Sequence, residues 1–230
     1  MREVVKSRSK LTSGGGPRPA KSIAGALDAH CLSLGNCRKC GLADPAPIPI
    51  VSEARSPKVM LVGQAPGKTE ITAQKPFAGR AGKTLFKWLA EAGIDESQAR
   101  RHIYISAITR CYPGPSPSGR GDRVPSPAEQ EMCESWLLDE LKIIRPALLI
   151  PVGRLAIDYF LEPAPLDEII GKAHTVLHAG GESLTIPLPH PSGASSWIHG
   201  PGHPDLVRRA LRMIGDEWNR LHAGSRASAA

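Results

Sequence analysis

Three groups of residues in this chain have the types and spacings that do chemistry: the cysteines, a glycine-rich loop and a histidine held between prolines. Cys37 and Cys40 form N-C-R-K-C-G-L, a C-x2-C knuckle. That spacing alone fits zinc, an iron–sulfur cluster or a redox pair. A thioredoxin-type pair belongs at a strand-to-helix turn, and this one follows no strand. No second C-x2-C exists, which disfavours a compact zinc ribbon, so further ligands must come from a distance. Cys111 and Cys133 are the ones available, and Cys31 is the best candidate for a core cysteine. Four sulfur positions without a histidine favour a [4Fe-4S] cluster slightly over zinc.

The glycine-rich loop is V-G-Q-A-P-G-K-T-E, residues 62–70, directly after the apolar run Lys58–Val62. It looks like a phosphate-binding P-loop. A Walker A loop needs four residues between its first glycine and the Gly-Lys-Thr; here only Gln64, Ala65 and Pro66 intervene. Such a loop also opens directly into a helix whose N-terminus binds phosphate, whereas Ile71–Pro76 reads as poor helix. The apolar strand Leu148–Val152 carries no Walker B aspartate. A nucleotide-binding ATPase is therefore disfavoured. The histidine, His190, lies in L-P-H-P-S-G-A-S-S-W, where prolines stiffen a loop and serines follow.

The elements that must position these groups alternate between strand and helix. Apolar runs predict buried strands at 58–62, 103–109, 147–152 and 184–188. Helices are predicted over 22–33, 81–92, 126–144, from Arg154, and over 204–221. The third of these has Ser126 as N-cap, Pro127 at its first position and Glu129 three residues on. The order argues for a parallel sheet with helices on both faces, whose ligands sit beyond the carboxyl ends of the strands. Three Gly/Pro-rich loops leave those ends: 63–77, 110–125 and 189–204.

Composition sets the remaining bounds. The 230 residues suffice for one α/β domain, expected over 22–222, between a basic disordered arm (1–21) and a short tail (223–230). The net charge of +7 points to anionic partners, nucleic acid foremost. No apolar run spans a membrane and no signal-peptide core opens the chain, so the expectation is a cytoplasmic protein with no membrane partner. In that compartment cysteines serve metals rather than disulfides.

Several of these pieces, in order, resemble one family. Gly63-Gln-Ala-Pro-Gly67 looks like motif A of the uracil-DNA glycosylase superfamily. Lys75-Pro-Phe-Ala-Gly-Arg-Ala-Gly82 is similar to the segment that follows it in the iron–sulfur family 4 class, and Ile103–Cys111 resembles the strand ending in a cluster cysteine. His190-Pro-Ser-Gly-Ala-Ser195 looks like motif B. The resemblance covers about residues 31–221 and implies a three-layer α-β-α fold around a four-stranded, mainly parallel sheet. It also implies hydrolysis of the N-glycosidic bond of a deaminated base in DNA, by a bacterial-type monomer acting on nucleoid DNA, with a [4Fe-4S] cluster on Cys37, Cys40, Cys111 and Cys133.

On that resemblance, residues take roles. The flipped base enters a pocket floored by Gly63, Ala65, Pro66 and Gly67 and stacks on Phe77. His190 donates to the base as it leaves as an anion. An aspartate stands at the Ala65 position in relatives with strong uracil activity, so Gln64 or Glu70 is expected to hold the attacking water. Ala107 replaces the family 4 asparagine that reads the uracil edge and resembles family 5, which implies a wider range of bases, including hypoxanthine or xanthine. Ser192, Ser195 and Ser196 are expected to grip flanking phosphates and Trp197 to wedge into the gap. Arg110, Arg120 and Arg123 are expected to contact backbone. Two alternatives differ in class. A non-turnover damage-binding protein of this fold would hold product through a histidine in the middle loop, and that loop has none. A cluster-bearing electron-transfer protein would leave His190 unexplained.

Overall fold

The computed structural model describes residues 22–40, 49–118, 121–192 and 196–226. The proposed arm at 1–21 lies outside them. Five strands, β1 (Val59–Gly63), β2 (Ile103–Ala107), β3 (Leu148–Pro151), β4 (His174–His178) and β5 (Gly181–Thr185), form one sheet in the order β2-β1-β3-β5-β4. All neighbours are parallel except the β4–β5 hairpin. The sheet thus has one strand more than the four expected, the extra one being an antiparallel edge.

The central strand β1 explains the layering. Its residues are all buried, and successive side chains alternate between faces. Val59 and Leu61 join a core with α3 (Arg80–Glu91), α4 (Glu96–His102) and α8 (His203–Arg226). Met60 and Val62 join a second core with α1 (Ile23–Gly35), α5 (Pro127–Ile144) and Ala156 of α6 (Arg154–Phe160). The result is a three-layer α-β-α fold. α8 runs to Arg226, past the expected domain end at 222. α7 (Leu166–Ile169) precedes β4.

Local rules account for most boundaries. Ser126 and Glu129 exchange side-chain and backbone hydrogen bonds at the start of α5, with Pro127 at the first position. Three short helices, α2 (Lys68–Ala73), α4 and α7, were not expected. α4 starts at an Asp95–Gln98 capping box. α2 occupies the stretch read as poor helix, and its start is fixed by Glu70, which accepts from the Gly67 N–H at 3.0 Å. That helix removes one of the arguments against a P-loop, but the spacing still disfavours it, and a buried carboxylate sits where a phosphate would meet that amide.

One close approach fixes the first loop. A Cβ on Gly82 would lie 1.8 Å from the Phe77 carbonyl oxygen, so α3 seats on the Phe77 backbone only because residue 82 is glycine. Phe77 itself has φ 51°, a left-handed conformation unusual for a bulky residue, and Arg100 donates to the Pro76 carbonyl at 3.0 Å. Gly82→Ala should therefore displace Phe77 and cost about 2–3 kcal/mol, measurable as a shifted denaturant midpoint. An unchanged midpoint would contradict the constraint.

Candidate active site and cysteine centre

The three loops at the carboxyl ends of the strands enclose a cavity of about 510 Å³. Its lining brings together Gly63, Gln64, Ala65, Pro66, Gly67 and Glu70 of the first loop, Phe77, Ala107 at the end of β2, and His190 with Ser192. All of these were expected from sequence. The Phe77 ring lies against Gly63, where a Cβ would come within 3.0 Å of it. The ring is therefore pressed against the end of β1 and forms one wall.

His190 is half-buried, and burial lowers its pKa below the ordinary 6.5. Its Nδ1 meets the Ser192 hydroxyl at 2.9 Å and the Ser192 backbone N–H at 3.2 Å. A backbone N–H only donates, so Nδ1 accepts and the neutral ring carries its proton on Nε2. Nε2 has no hydrogen-bond partner among the described residues. The loop thus fixes a neutral imidazole as a donor on the cavity wall.

Glu70 has a different task from the one expected. Oε2 accepts from the Gly67 N–H and Oε1 from the Gly79 N–H, each at 3.0 Å. Charge-assisted bonds of this kind contribute about 1.5–3 kcal/mol each. The carboxylate clamps the two halves of the first loop and has both oxygens occupied. Gln64 is half-buried, and its side chain has no hydrogen-bond partner among the described residues, so it remains free within the cavity.

The expected DNA-contacting arginines are a correction. Arg110 is only 2% exposed, and its guanidinium pairs with Glu140 and Ser106. It is a core residue. Arg123 forms a two-pronged pair with Glu129 at 2.8 and 2.6 Å, which closes the middle loop onto α5. Arg120 and Ser195 lie outside the described residues, as does the side chain of Ser196. Trp197 is half-buried, stacks on His203 at 4.1 Å and donates from Nε1 to Asp167 at 2.8 Å, which is loop packing rather than a free wedge. Two exposed cations that were not singled out, Lys68 and Arg80, line the cavity mouth. Asp122 of the middle loop also lines the cavity and went unnoticed. Charge in a Gly/Pro-rich loop is common, and the fold that aims it is not written locally.

The cysteines converge. Cys37 and Cys40 follow α1, Cys111 follows β2 and Cys133 lies inside α5. Lys39 ties the knuckle to α5, with Nζ 5.0 Å over the Trp136 ring and 3.3 Å from the Ser135 hydroxyl. The Cys111 thiol is pushed up to about 12, first by burial and then by Cys40, Cys133 and Cys37. Burial also raises Cys133, which accepts a hydrogen bond from the Arg110 backbone. Among the described residues no three His, Cys, Asp or Glu side chains close around a point as a single ion requires. Cys37 and Cys40 are nevertheless near enough to act on the buried Cys111 and Cys133 thiols, and the four form a donor set that a cationic core would suit. Cys31 stands apart in the second core, 3.7 Å from the Tyr104 hydroxyl.

Beneath this centre is a buried polar network. The Glu140 carboxylate is 0% exposed and takes Arg110, Tyr104 at 2.8 Å, Ser106 at 2.7 Å and His30 at 3.2 Å. Arg110 and hydrogen bonds from His30 and Ser106 hold its pKa below the carboxylate range against the opposing effect of burial. Removing one partner of a buried pair costs about 3–5 kcal/mol. Glu140→Gln should lower unfolding stability by that amount in denaturant, and a change under about 1 kcal/mol would show the network to be dispensable.

Comparison with known proteins gives the same direction. The model of the Uracil DNA glycosylase superfamily matches residues 50–212. A type-4 uracil-DNA glycosylase of Archaeoglobus fulgidus is 31% identical over 173 residues, covering 72% of this chain and 81% of that protein. One from Saccharolobus solfataricus is 29% identical over 197 residues, 82% of this chain and 84% of that one. A type-5 uracil-DNA glycosylase of Pyrobaculum aerophilum is 32% identical over 110 residues, 43% and 46%.

Proposed function

The chain belongs to the uracil-DNA glycosylase superfamily, and from that premise we propose that it is a monofunctional DNA glycosylase of base-excision repair, hydrolysing the bond between deoxyribose and a deaminated base, uracil first. The observation that carries this reading is the fixed Nε2–H tautomer of His190, on the same cavity as Phe77. A base leaving as an anion needs a donor that is in place before charge develops, and a flipped base needs an aromatic face.

The chemistry divides among named residues. Phe77 stacks on the base, and Gln64 with the amides of the first loop meets its polar edge. His190 donates to the oxygen on which negative charge accumulates. As the C1′–N bond breaks, the sugar becomes cation-like and a water adds at C1′. Lys68 and Arg80 at the mouth take the phosphate-contacting role first given to Arg110 and Arg123.

Ala107 supports a broad base range. It ends β2 opposite Gly63, and a methyl group there hydrogen-bonds to no base edge. A site that lacks an edge reader loses its strongest means of rejection. We further assign Cys37, Cys40, Cys111 and Cys133 as ligands of a [4Fe-4S] cluster. When bound, the cluster supplies structural cross-linking of α1, β2 and α5 rather than chemistry at the base.

The decisive assay is base release from DNA carrying uracil, hypoxanthine or xanthine. Wild-type protein should release uracil and at least one purine, and Ala107→Asn should narrow the panel. A steep uracil preference in the wild type would contradict the assignment of Ala107. His190→Ala should slow single-turnover uracil release by about 10²–10³ at neutral pH. Because burial depresses its pKa below the ordinary 6.5, His190 is mainly neutral above that pH and loses its Nδ1 acceptor only at lower pH. The rate should therefore stay level from pH 8 to about 6.5, and a decline within that window would contradict the tautomer. The purified protein should be brown with about four iron atoms per chain, and a colourless zinc protein would overturn the cluster.

A further inference from the structure

Asp122 answers a question that the first loop leaves open. That loop offers Ala65 where a water-holding carboxylate would stand, and Glu70 is spent on two backbone amides. Asp122, from the middle loop, reaches the Gly67 end of that first loop. Its Oδ2 lies 2.8 Å from the point where a Gly67 side chain would begin, and Glu70 Oε2 lies 2.9 Å from that point. Asp122 lines the cavity with Gln64 and His190 yet remains exposed, so it is open to water in a way that Glu70 is not.

The middle loop holds it there. Asp122 pairs with Pro115 in an antiparallel bridge. The Ser116 N–H donates to the Gly121 carbonyl at 2.9 Å and the Arg123 N–H to the Gly114 carbonyl at 3.0 Å. The Arg123–Glu129 pair then fastens the loop to α5. The Tyr112 hydroxyl donates to the Asp122 carboxylate.

We propose that Asp122 is the carboxylate that holds and deprotonates the attacking water. This assignment rests on the glycosylase reading above. The water oxygen forms the new bond to C1′ as the C1′–N bond breaks. The electron pair of that bond leaves with the base, stabilised by His190 Nε2–H. The water proton passes to Asp122, which returns it to solvent after the base has gone. Gln64 supplies the second hydrogen bond to the water but accepts no proton.

The test uses the full chain on uracil DNA under single turnover. Asp122→Asn should lower the excision rate about a hundredfold or more, with the half-saturating concentration unchanged within about threefold. Asp122→Ala should fall equally and regain rate when formate is added, since a free carboxylate replaces the missing one. Glu70→Gln should lower stability and gain nothing from formate. The assignment is overturned if Asp122→Asn excises at the wild-type rate, if its loss lies wholly in half-saturation, or if formate fails to rescue Asp122→Ala. A covalent protein–DNA species on a denaturing gel of the wild type, lost in Asp122→Asn, would make it a nucleophile and also overturn the water role. If the wild type itself releases no base from any lesion, the glycosylase reading falls first and this one with it.

Discussion

The buried carboxylate of Glu140 is the constraint on which the arrangement depends. Moving a carboxylate and a guanidinium out of water costs several kcal/mol per ion, and here the cost is offset only because the donors converge on one side chain. Tyr104 and Ser106 come from β2, Arg110 from the turn after it, His30 from α1 and Glu140 from α5. Apolar side chains would hold these elements together as well, but would tolerate sliding. Few alignments bring so many donors to one carboxylate, so the network sets the register of α1 and α5 against β2. Those same elements carry the cysteines. The Arg110 backbone continues the link, since its N–H reaches Cys133 and its carbonyl accepts from Ile50 at 2.9 Å.

The network also touches the cavity, because Ser106 and Arg110 contribute to its lining. The base pocket is therefore supported on one side by a rigid ionic core. On the other side the first loop is held by Glu70 and by Gly82 under Phe77. This division suits catalysis that works by positioning. A donor such as His190 acts at full strength only if it need not reorganise when charge develops, and the Ser192 N–H on Nδ1 removes that freedom.

Sequence made some of this legible and hid the rest for identifiable reasons. β1, β2 and β3 are visible as apolar runs because parallel strands covered on both faces are built mainly from apolar residues. α5 announces its start through Ser126, Pro127 and Glu129. β4 is invisible because it is an edge strand in which only Val176 is buried, so its composition is that of a loop. α2 has weak propensity and exists because Glu70 caps it, a tertiary clamp that also reaches Gly79. The arginines show the limit most clearly. Arg110 and Arg123 sit in a basic stretch that suggests phosphate contact, yet both charges are neutralised internally, by Glu140 and Glu129. Thirty residues separate Arg110 from Glu140, and no local pattern pairs them.

That limit also explains how a site keeps its chemistry while a motif loses a residue. The cavity is closed by loops from three strand ends, so a given point in it lies near more than one segment. Position 65 is alanine, but the space beside Gly67 is within reach of residue 122 because Gly67 has no side chain: a Cβ there would collide with both Asp122 and Glu70. The glycine that shapes the first loop thus admits a carboxylate from the middle one. Matching a chain to a motif position by position tests whether a group is supplied from the usual segment. Whether the group is present at all is a question about the enclosed volume, and only the fold can answer it.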